Sequence, residues 1–225
     1  MAINKNIKIH GLMRSGTNFL QFMLQNNMTV DVVVNKGNWK HSVLDPKIIS
    51  CDLYAIIYKD IFSWLYSIYK YAITSGRFAN YINQSFSEFI RGEFHFVENG
   101  LDLKYPSMIG MYNDYYSKSL DNESTKKVFI NYQDFLISYN FYMLKISKLL
   151  SINMAKRNIF PINNIDPSHR NIVKSSSFLY QKNNFYRSKE YMKNFNKEDI
   201  DFVNNNISND VVKRLQEQNL LNLKN

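Results

Sequence analysis

The sequence predicts an α/β protein built in three layers, with a central parallel sheet of about four or five strands flanked by helices. Four short apolar segments predict strands at residues 7–10, 30–34, 53–58 and 127–131. Helical stretches are expected between them, and such alternation favours parallel pairing. The chain has 225 residues with only 7 Gly and 4 Pro. It is therefore long enough for one core, and we expect a single domain spanning 1–225.

The first and third strands each run into an amphipathic helix. After the first strand, residues 17–26 place four apolar side chains on one face, with Thr17 or a neighbour as the expected helix cap. After the third strand, apolar residues recur at helical spacing at Ile61, Trp64, Leu65, Ile68 and Ala72. The third and fourth strands are apolar at nearly every position, which is typical of strands covered on both faces.

Residues 73–126 mix polar and aromatic residues and predict a helical insertion before the fourth strand. Insertions at a sheet edge often carry specificity, so we expect this one on the acceptor side of any site. A long helix is predicted from residue 134, followed by two helices near 187–205 and 208–219.

The composition limits the classes of partner and of site. A net charge of +9 indicates an anionic partner, such as nucleic acid, an acidic membrane, a phosphorylated cofactor or an acidic glycan. Basic residues do not form a run, so we do not expect nucleic acid. Cys51 is the one cysteine, which excludes an internal disulfide and a cysteine-based zinc site; we expect it to be buried. No apolar run reaches the roughly 18 residues of a transmembrane segment, and we expect a cytoplasmic protein.

The stretch "GLMRSGT" predicts a loop that binds an anion. Gly11 and Gly16 have the four-residue gap of a nucleotide-binding P-loop, but Thr17 stands where an NTPase carries lysine. Inward backbone N–H groups and the positive end of the following helix stabilise an anion there, and Arg14 supplies a cation. Two alternatives stay open, namely a kinase or NTPase using ATP and Mg²⁺, and an ordinary strand-to-helix turn.

The longer stretch "RSGTNFL" resembles the 5′-phosphosulfate loop of sulfotransferases that use 3′-phosphoadenosine 5′-phosphosulfate (PAPS). The resemblance implies a P-loop-like fold in which Arg14 is the loop cation. It also implies that the anion is bound by the four residues that follow: Ser15, Gly16, Thr17 and Asn18.

A second motif of the family holds the 3′-phosphate, with a basic residue at the end of the third strand and a serine eight positions later. "YKDIFSWLYS" has Lys59 and Ser67 at this spacing. The family often has Arg instead of Lys59 and a Pro near Ile61. Lysine binds phosphate as a point charge, with less fixed geometry than a bidentate arginine.

"GNWKHSVLDP" contains His41 where cytosolic sulfotransferases have a catalytic histidine after the second strand. The resemblance implies that His41 takes the proton of the acceptor hydroxyl, although some branches of the family use a carboxylate. Lys40 or Lys36 would stabilise the departing phosphate. We expect the other histidines, His10, His95 and His169, to be structural.

Two weaker likenesses lie further along the chain. "VFINYQDFL" resembles the strand of the family that ends in Tyr-Glu-Asp, but Gln133 replaces the acid, and Asp134 is the expected helix cap. Near the C-terminus the resemblance implies that Lys182, and with a weaker match Arg187, contact the 3′-phosphate.

The resemblance therefore predicts transfer of a sulfuryl group from PAPS to a hydroxyl, leaving 3′-phosphoadenosine 5′-phosphate (PAP), with no metal. The expected acceptor is a glycan, glycolipid or small molecule, with Arg77, Arg91 and tyrosines of the insertion as its contacts. The alternatives are the ATP-dependent kinase or NTPase and a non-catalytic basic module that binds RNA or another polyanion. The oligomeric state stays open.

Overall fold

A computed structural model describes residues 5–34, 39–45, 47, 50–75, 78, 81, 83–98, 101–122, 126–153 and 177–224. The strands are β1 (Lys5–His10), β2 (Val30–Val33), β3 (Leu53–Tyr58), β4 (Phe94–Glu98), β5 (Leu101–Tyr105) and β6 (Lys127–Asn131). The helices are α1 (Thr17–Asn27), α2 (Ile61–Ser75), α3 (Phe86–Arg91), α4 (Met108–Asp121), α5 (Tyr132–Leu150), α6 (Ser177–Arg187), α7 (Lys197–Asn206) and α8 (Asn209–Lys224), with a 3-10 helix at Glu190–Asn194.

The four predicted strands form one parallel sheet in the order β2-β1-β3-β6. Helices flank this sheet, and the predicted three-layer α/β fold is confirmed. Because the strands are parallel, the loops that follow β1, β3 and β6 leave from the same edge. Between β2 and β3 the described part of the connection forms turns and bends instead of a helix.

The central strand β3 shows why its sequence is apolar at every position. Leu53, Ala55 and Ile57 pack with α1 and α5, and the alternating residues pack with α2 and α4 on the opposite face. All six side chains are buried. The prediction of a strand covered on both faces is therefore confirmed.

β1 carries two buried polar side chains on the α2 face of the sheet. Lys8 donates to the Val34 carbonyl at 2.9 Å, and burial lowers its pKa to about 8. His10 donates from Nδ1 to the Ser42 carbonyl at 3.3 Å, and burial lowers its pKa to about 4. These contacts fasten β1 to the β2–β3 connection. Cys51, expected to be buried, is partly exposed.

The prediction that the insertion at 73–126 is helical is wrong in part. Between α3 and α4 lies an antiparallel hairpin in which β4 pairs with β5, with Phe94 opposite Tyr105. The stretch "FHFVENGLDLKY" alternates apolar and polar residues around an Asn-Gly pair, which is typical of a hairpin.

The C-terminal helices also differ from their predicted bounds. A 3-10 helix and α7 replace the single helix predicted at 187–205, and α8 extends past residue 219 to Lys224. Asp199 on α7 is buried, and it accepts from Ser87 at 2.9 Å and from Arg91 at 2.7 Å. α5 is capped by Asn131 instead of Asp134. None of the described helices is both long and apolar enough to cross a membrane.

Candidate anion-binding site

The loop from β1 to α1 packs so closely on its surroundings that two positions require glycine. A Cβ at Gly11 would lie 2.5 Å from the Ile57 carbonyl oxygen. Gly16 has a φ of 111°, and a Cβ there would lie 2.3 Å from the Tyr132 ring. Side chains at these positions would push the loop away from the sheet edge.

The carbonyl groups of the loop are bound by the protein, whereas the start of α1 is left to donate. Trp64 Nε1 donates to the Met13 carbonyl at 2.9 Å, and the Ser15 N–H donates to the Leu12 carbonyl at 3.1 Å. Gly16, not Thr17, is the N-cap of α1, and no side chain caps the helix. Ser15 Oγ is buried without a hydrogen-bond partner. An uncapped helix start with an orphaned hydroxyl suits an anion.

Lys40 and His41 form one wall of the loop. The Gly11 N–H donates to the Lys40 carbonyl at 3.1 Å, and His41 Nδ1–H donates to the Gly11 carbonyl at 2.6 Å. A carbonyl only accepts, so this bond places the proton on Nδ1 and leaves the Nε2 lone pair available. Burial lowers the pKa of His41 to about 3, so its imidazole is neutral at physiological pH. Lys40 Nζ donates to Asn18 Oδ1 at 2.5 Å, and burial lowers its pKa.

Lys59 forms a second wall of the site, which we call the Lys59 wall. It lies at the end of β3 and is only 5% exposed. Its Nζ donates to Ser67 Oγ and to the Tyr186 hydroxyl, both at 3.0 Å. The Tyr132 and Tyr186 rings lie 4.6 Å and 5.3 Å from the same nitrogen. Burial lowers the pKa of Lys59 to about 7, and the charge of Arg14 lowers it further while Asp60 raises it. The eight-residue spacing thus brings Lys59 and Ser67 into contact.

Two more cations lie beside Lys59. Lys182 on α6 is half-buried, and burial lowers its pKa to about 8, assisted by the charges of Lys59 and Arg14 and opposed by Tyr186. Arg14 is exposed, and its guanidinium lies 4.9 Å from the Tyr71 ring centre. Three positive charges therefore converge where the loop, β3 and α6 meet. Arg187, one residue past Tyr186, is exposed at the end of α6.

The carboxylate next to Lys59 is occupied by other groups. Asp60 Oδ1 accepts from the Ser63 N–H at 3.0 Å, and Oδ2 accepts from Gln133 Nε2 and, at 3.4 Å, from the Tyr191 hydroxyl. Gln133 also bonds Ser63 Oγ at 2.7 Å. A glutamate at 133 would face the Asp60 carboxylate, whereas the amide donates to it. This contact gives a physical reason for the departure from the Tyr-Glu-Asp pattern.

Sequence reasoning missed Tyr132 and Tyr186 as parts of this site. Tyr186 follows Lys182 by four residues, so both lie on one helix face, and that spacing was the available signal. Tyr132 directly follows β6, at the sheet edge where the loops after β1 and β3 also leave.

Several other expected residues lie apart from the site or outside the described residues. His95 bonds Asp102 at 2.6 Å across the exposed hairpin. Arg91, an expected acceptor contact, pairs with Asp199 instead. Lys36, His169 and Arg77 fall outside the described residues. Within the described ranges, no group of three or more His, Cys, Asp or Glu side chains is arranged to hold a metal ion.

Replacing Gln133 by Glu tests the contact with Asp60. We expect Gln133→Glu to lower the free energy of unfolding by about 2 kcal/mol at neutral pH, because two facing carboxylates repel. The loss should shrink in acid, since the pKa of the pair is raised and one carboxyl takes up a proton. Urea unfolding at two pH values measures this. The double variant Asp60→Asn with Gln133→Glu restores an amide opposite a carboxylate and should recover stability. Equal losses in the single and double variants would contradict the explanation.

The lowered pKa of Lys59 predicts that the free energy of unfolding depends on pH. Its folded pKa of about 7 lies below the ordinary value of 10.5, so the unfolded chain binds more protons between these values and stability rises with pH there. Below about pH 7 the full cost of burying the charge is present. Lys59→Met lacks this cost. We expect its advantage over the wild type to shrink by up to about 1.4 kcal/mol per pH unit above neutrality.

Urea unfolding in buffers without phosphate or sulfate measures this difference. Lys70 lies on the same helix and is exposed, so Lys70→Met serves as the charge-matched control and should follow the wild type at every pH. If the free energies of unfolding of Lys59→Met and the wild type differ by the same amount at every pH, the Lys59 ammonium keeps an ordinary pKa.

A comparison of the chain with models of known protein families and with curated proteins finds no match. The functional conclusion therefore depends on the geometry of the loop and of the Lys59 wall.

Proposed function

We propose that the protein is a sulfotransferase that moves the sulfuryl group of PAPS to a hydroxyl of an acceptor. The observation that carries the proposal is the buried Lys59 ammonium, bonded to two hydroxyl groups and set beside a glycine loop whose helix has no side-chain cap. Two anion-binding places thus lie on one sheet edge. PAPS carries two such anionic groups, one on each side of its ribose.

The residues present suit each of these groups. The orphaned Ser15 hydroxyl and the start of α1 at Gly16, Thr17 and Asn18 would hold the 5′-phosphosulfate. On the other wall Lys59, Ser67 and Lys182 would hold the 3′-phosphate and thereby separate PAPS from ATP. When bound, PAPS supplies a sulfuryl group attached through an oxygen to phosphate.

The chain's own groups would align the reactants and move one proton. His41 Nε2 accepts the acceptor's proton while the acceptor oxygen bonds to sulfur and the bond from sulfur to the phosphate oxygen breaks. Arg14 and Lys40 stabilise the negative charge left on that phosphate. The Gly11 carbonyl fixes the His41 tautomer for this task. A nearby anion also raises the pKa of His41 from its low ligand-free value, which makes it a stronger base.

The main rival is a kinase or NTPase that uses ATP and Mg²⁺. Such enzymes carry a lysine after the second loop glycine, where this chain has Thr17. They also need a carboxylate for the metal near the phosphates, and Asp60 is occupied by Ser63, Gln133 and Tyr191. The acceptor remains a hydroxyl compound of the glycan, glycolipid or small-molecule class.

Calorimetric titration tests the nucleotide. We expect PAP to bind at least about 10-fold tighter than adenosine 5′-phosphate, because charge-assisted hydrogen bonds to the 3′-phosphate each contribute roughly 1.5–3 kcal/mol. Lys59→Met should remove this preference, whereas the control Lys70→Met should keep it. Tighter binding of ATP with Mg²⁺ than of PAP would favour the kinase or NTPase. Weak binding of all nucleotides with a steep salt dependence would favour a polyanion-binding module.

His41→Asn tests the base without disturbing the loop. The Asn side-chain N–H₂ takes the place of Nδ1–H and still donates to the Gly11 carbonyl, but the variant lacks Nε2. We expect PAP affinity to stay near that of the wild type and sulfuryl transfer to a phenol or sugar hydroxyl to fall by about 100-fold or more. Transfer of radiolabelled sulfate measures turnover. Full turnover in this variant would assign the proton to another group.

A further inference from the structure

We propose that Tyr186 is a specificity-determining residue, whose hydroxyl forms part of the 3′-phosphate pocket together with Lys59 and Ser67. The inference deepens the proposed function and depends on it. Tyr186 lies 127 residues after Lys59 in the chain, yet its hydroxyl lies 3.0 Å from the Lys59 nitrogen.

The position of the Tyr186 hydroxyl is fixed by aromatic packing. Its ring meets Tyr132 edge-on at 5.5 Å and contacts Phe185 at 5.3 Å and Tyr191 at 6.3 Å. Phe185 in turn packs against Tyr66 on α2 at 5.8 Å. Contacts on several sides hold the ring in one orientation, so that the hydroxyl needs little further ordering to receive a ligand.

The hydrogen bonds around Lys59 leave donors for a common acceptor. The ammonium has three N–H groups, of which one goes to Ser67 Oγ and one to the Tyr186 hydroxyl oxygen. Both hydroxyl oxygens accept these bonds. The Ser67 hydroxyl also donates to the Tyr186 oxygen, a bond that lowers the pKa of Tyr186, so only the Tyr186 hydrogen can point elsewhere. The third ammonium hydrogen of Lys59 and the Tyr186 hydroxyl hydrogen then form a donor set at the end of β3 and on α6. A phosphate group offers acceptor oxygens to these donors, and its negative charge balances the positive charge of the Lys59 ammonium.

Two further features favour the hydroxyl as a ligand to phosphate. Burial raises the pKa of Tyr186, so its hydroxyl keeps its proton and acts as a donor at neutral pH. The charges of Arg14 and Lys182 lie near enough to interact with Lys59 or with Tyr186 itself, so an anion here is attracted by several cations at once. A nucleotide with a free 3′-hydroxyl offers no negative charge and only one neutral acceptor oxygen there, so it should gain little from Tyr186.

Tyr186→Phe removes only the hydroxyl and keeps the ring contacts. Calorimetry of the full chain should give about a 10-fold loss of PAP affinity, the usual effect of losing one hydrogen bond to a charged group, with adenosine 5′-phosphate affinity unchanged. Tyr66→Phe removes a hydroxyl from the same aromatic cluster on the far side of Phe185 and is the matched control. Melting temperatures within a few degrees of the wild type confirm that both variants fold.

Each other outcome overturns the inference, and the pattern shows whether the proposed function falls with it. If the wild type prefers PAP and Tyr186→Phe keeps the same preference, the inference is wrong and the proposed function stands. Tighter PAP binding by Tyr186→Phe would show that the hydroxyl obstructs the phosphate, which also refutes it. If the wild type shows no preference for PAP over adenosine 5′-phosphate, both fall.

Discussion

The buried ammonium of Lys59 is the interaction on which the site depends. Removing a charge from water is costly unless a charge or strong hydrogen bonds replace the hydration. Here two hydroxyl groups and two aromatic rings replace it in part, and the pKa of about 7 shows that the compensation is incomplete. The ends of β3 and β6 and the helices α2 and α6 all meet at this nitrogen. An anion bound there would offset the remaining cost.

Tyr132 links this ammonium to the glycine loop. One edge of its ring lies where a Cβ of Gly16 would stand, and the ring also lies 4.6 Å from Lys59. Tyr132 is the first residue of α5, placed by the Asn131 cap at the end of β6. One rigid aromatic side chain therefore sets the distance between the loop and the Lys59 wall. A shift of the loop would displace the Tyr132 ring and with it the surroundings of Lys59. Such a coupling suits a ligand with two anionic groups at a fixed separation.

Local patterns in the sequence predicted the parallel sheet and the Lys59–Ser67 contact next to it. Apolar runs gave β3 and β6, helical spacing gave the buried face of α2, and the Lys59 to Ser67 spacing required only a strand and two helical turns. The hairpin was missed although its alternation was present, because aromatic residues in the insertion suggested helices. The spacing from Lys182 places Tyr186 on the same helix face, but the Tyr186–Lys59 and Asp60–Gln133 contacts could not be predicted, since they depend on which distant elements meet. No local pattern reports that α6 packs on Lys59 across 127 residues of chain.

The distribution of charge argues for two anions over a metal-bound nucleotide. A Mg²⁺ nucleotide site needs a carboxylate free to bind the metal or its waters. Asp60 directly follows Lys59, and a backbone N–H, an amide and a hydroxyl hold its carboxylate at the start of α2. Gln133 keeps a second carboxylate away from that place. The convergent groups are instead the cations Arg14, Lys59 and Lys182, and Lys40 adds a further cation beside Asn18 of the loop helix. Such a surface stabilises negative charge that a metal would otherwise neutralise, which is the reason we favour a sulfuryl donor with two separate anionic groups.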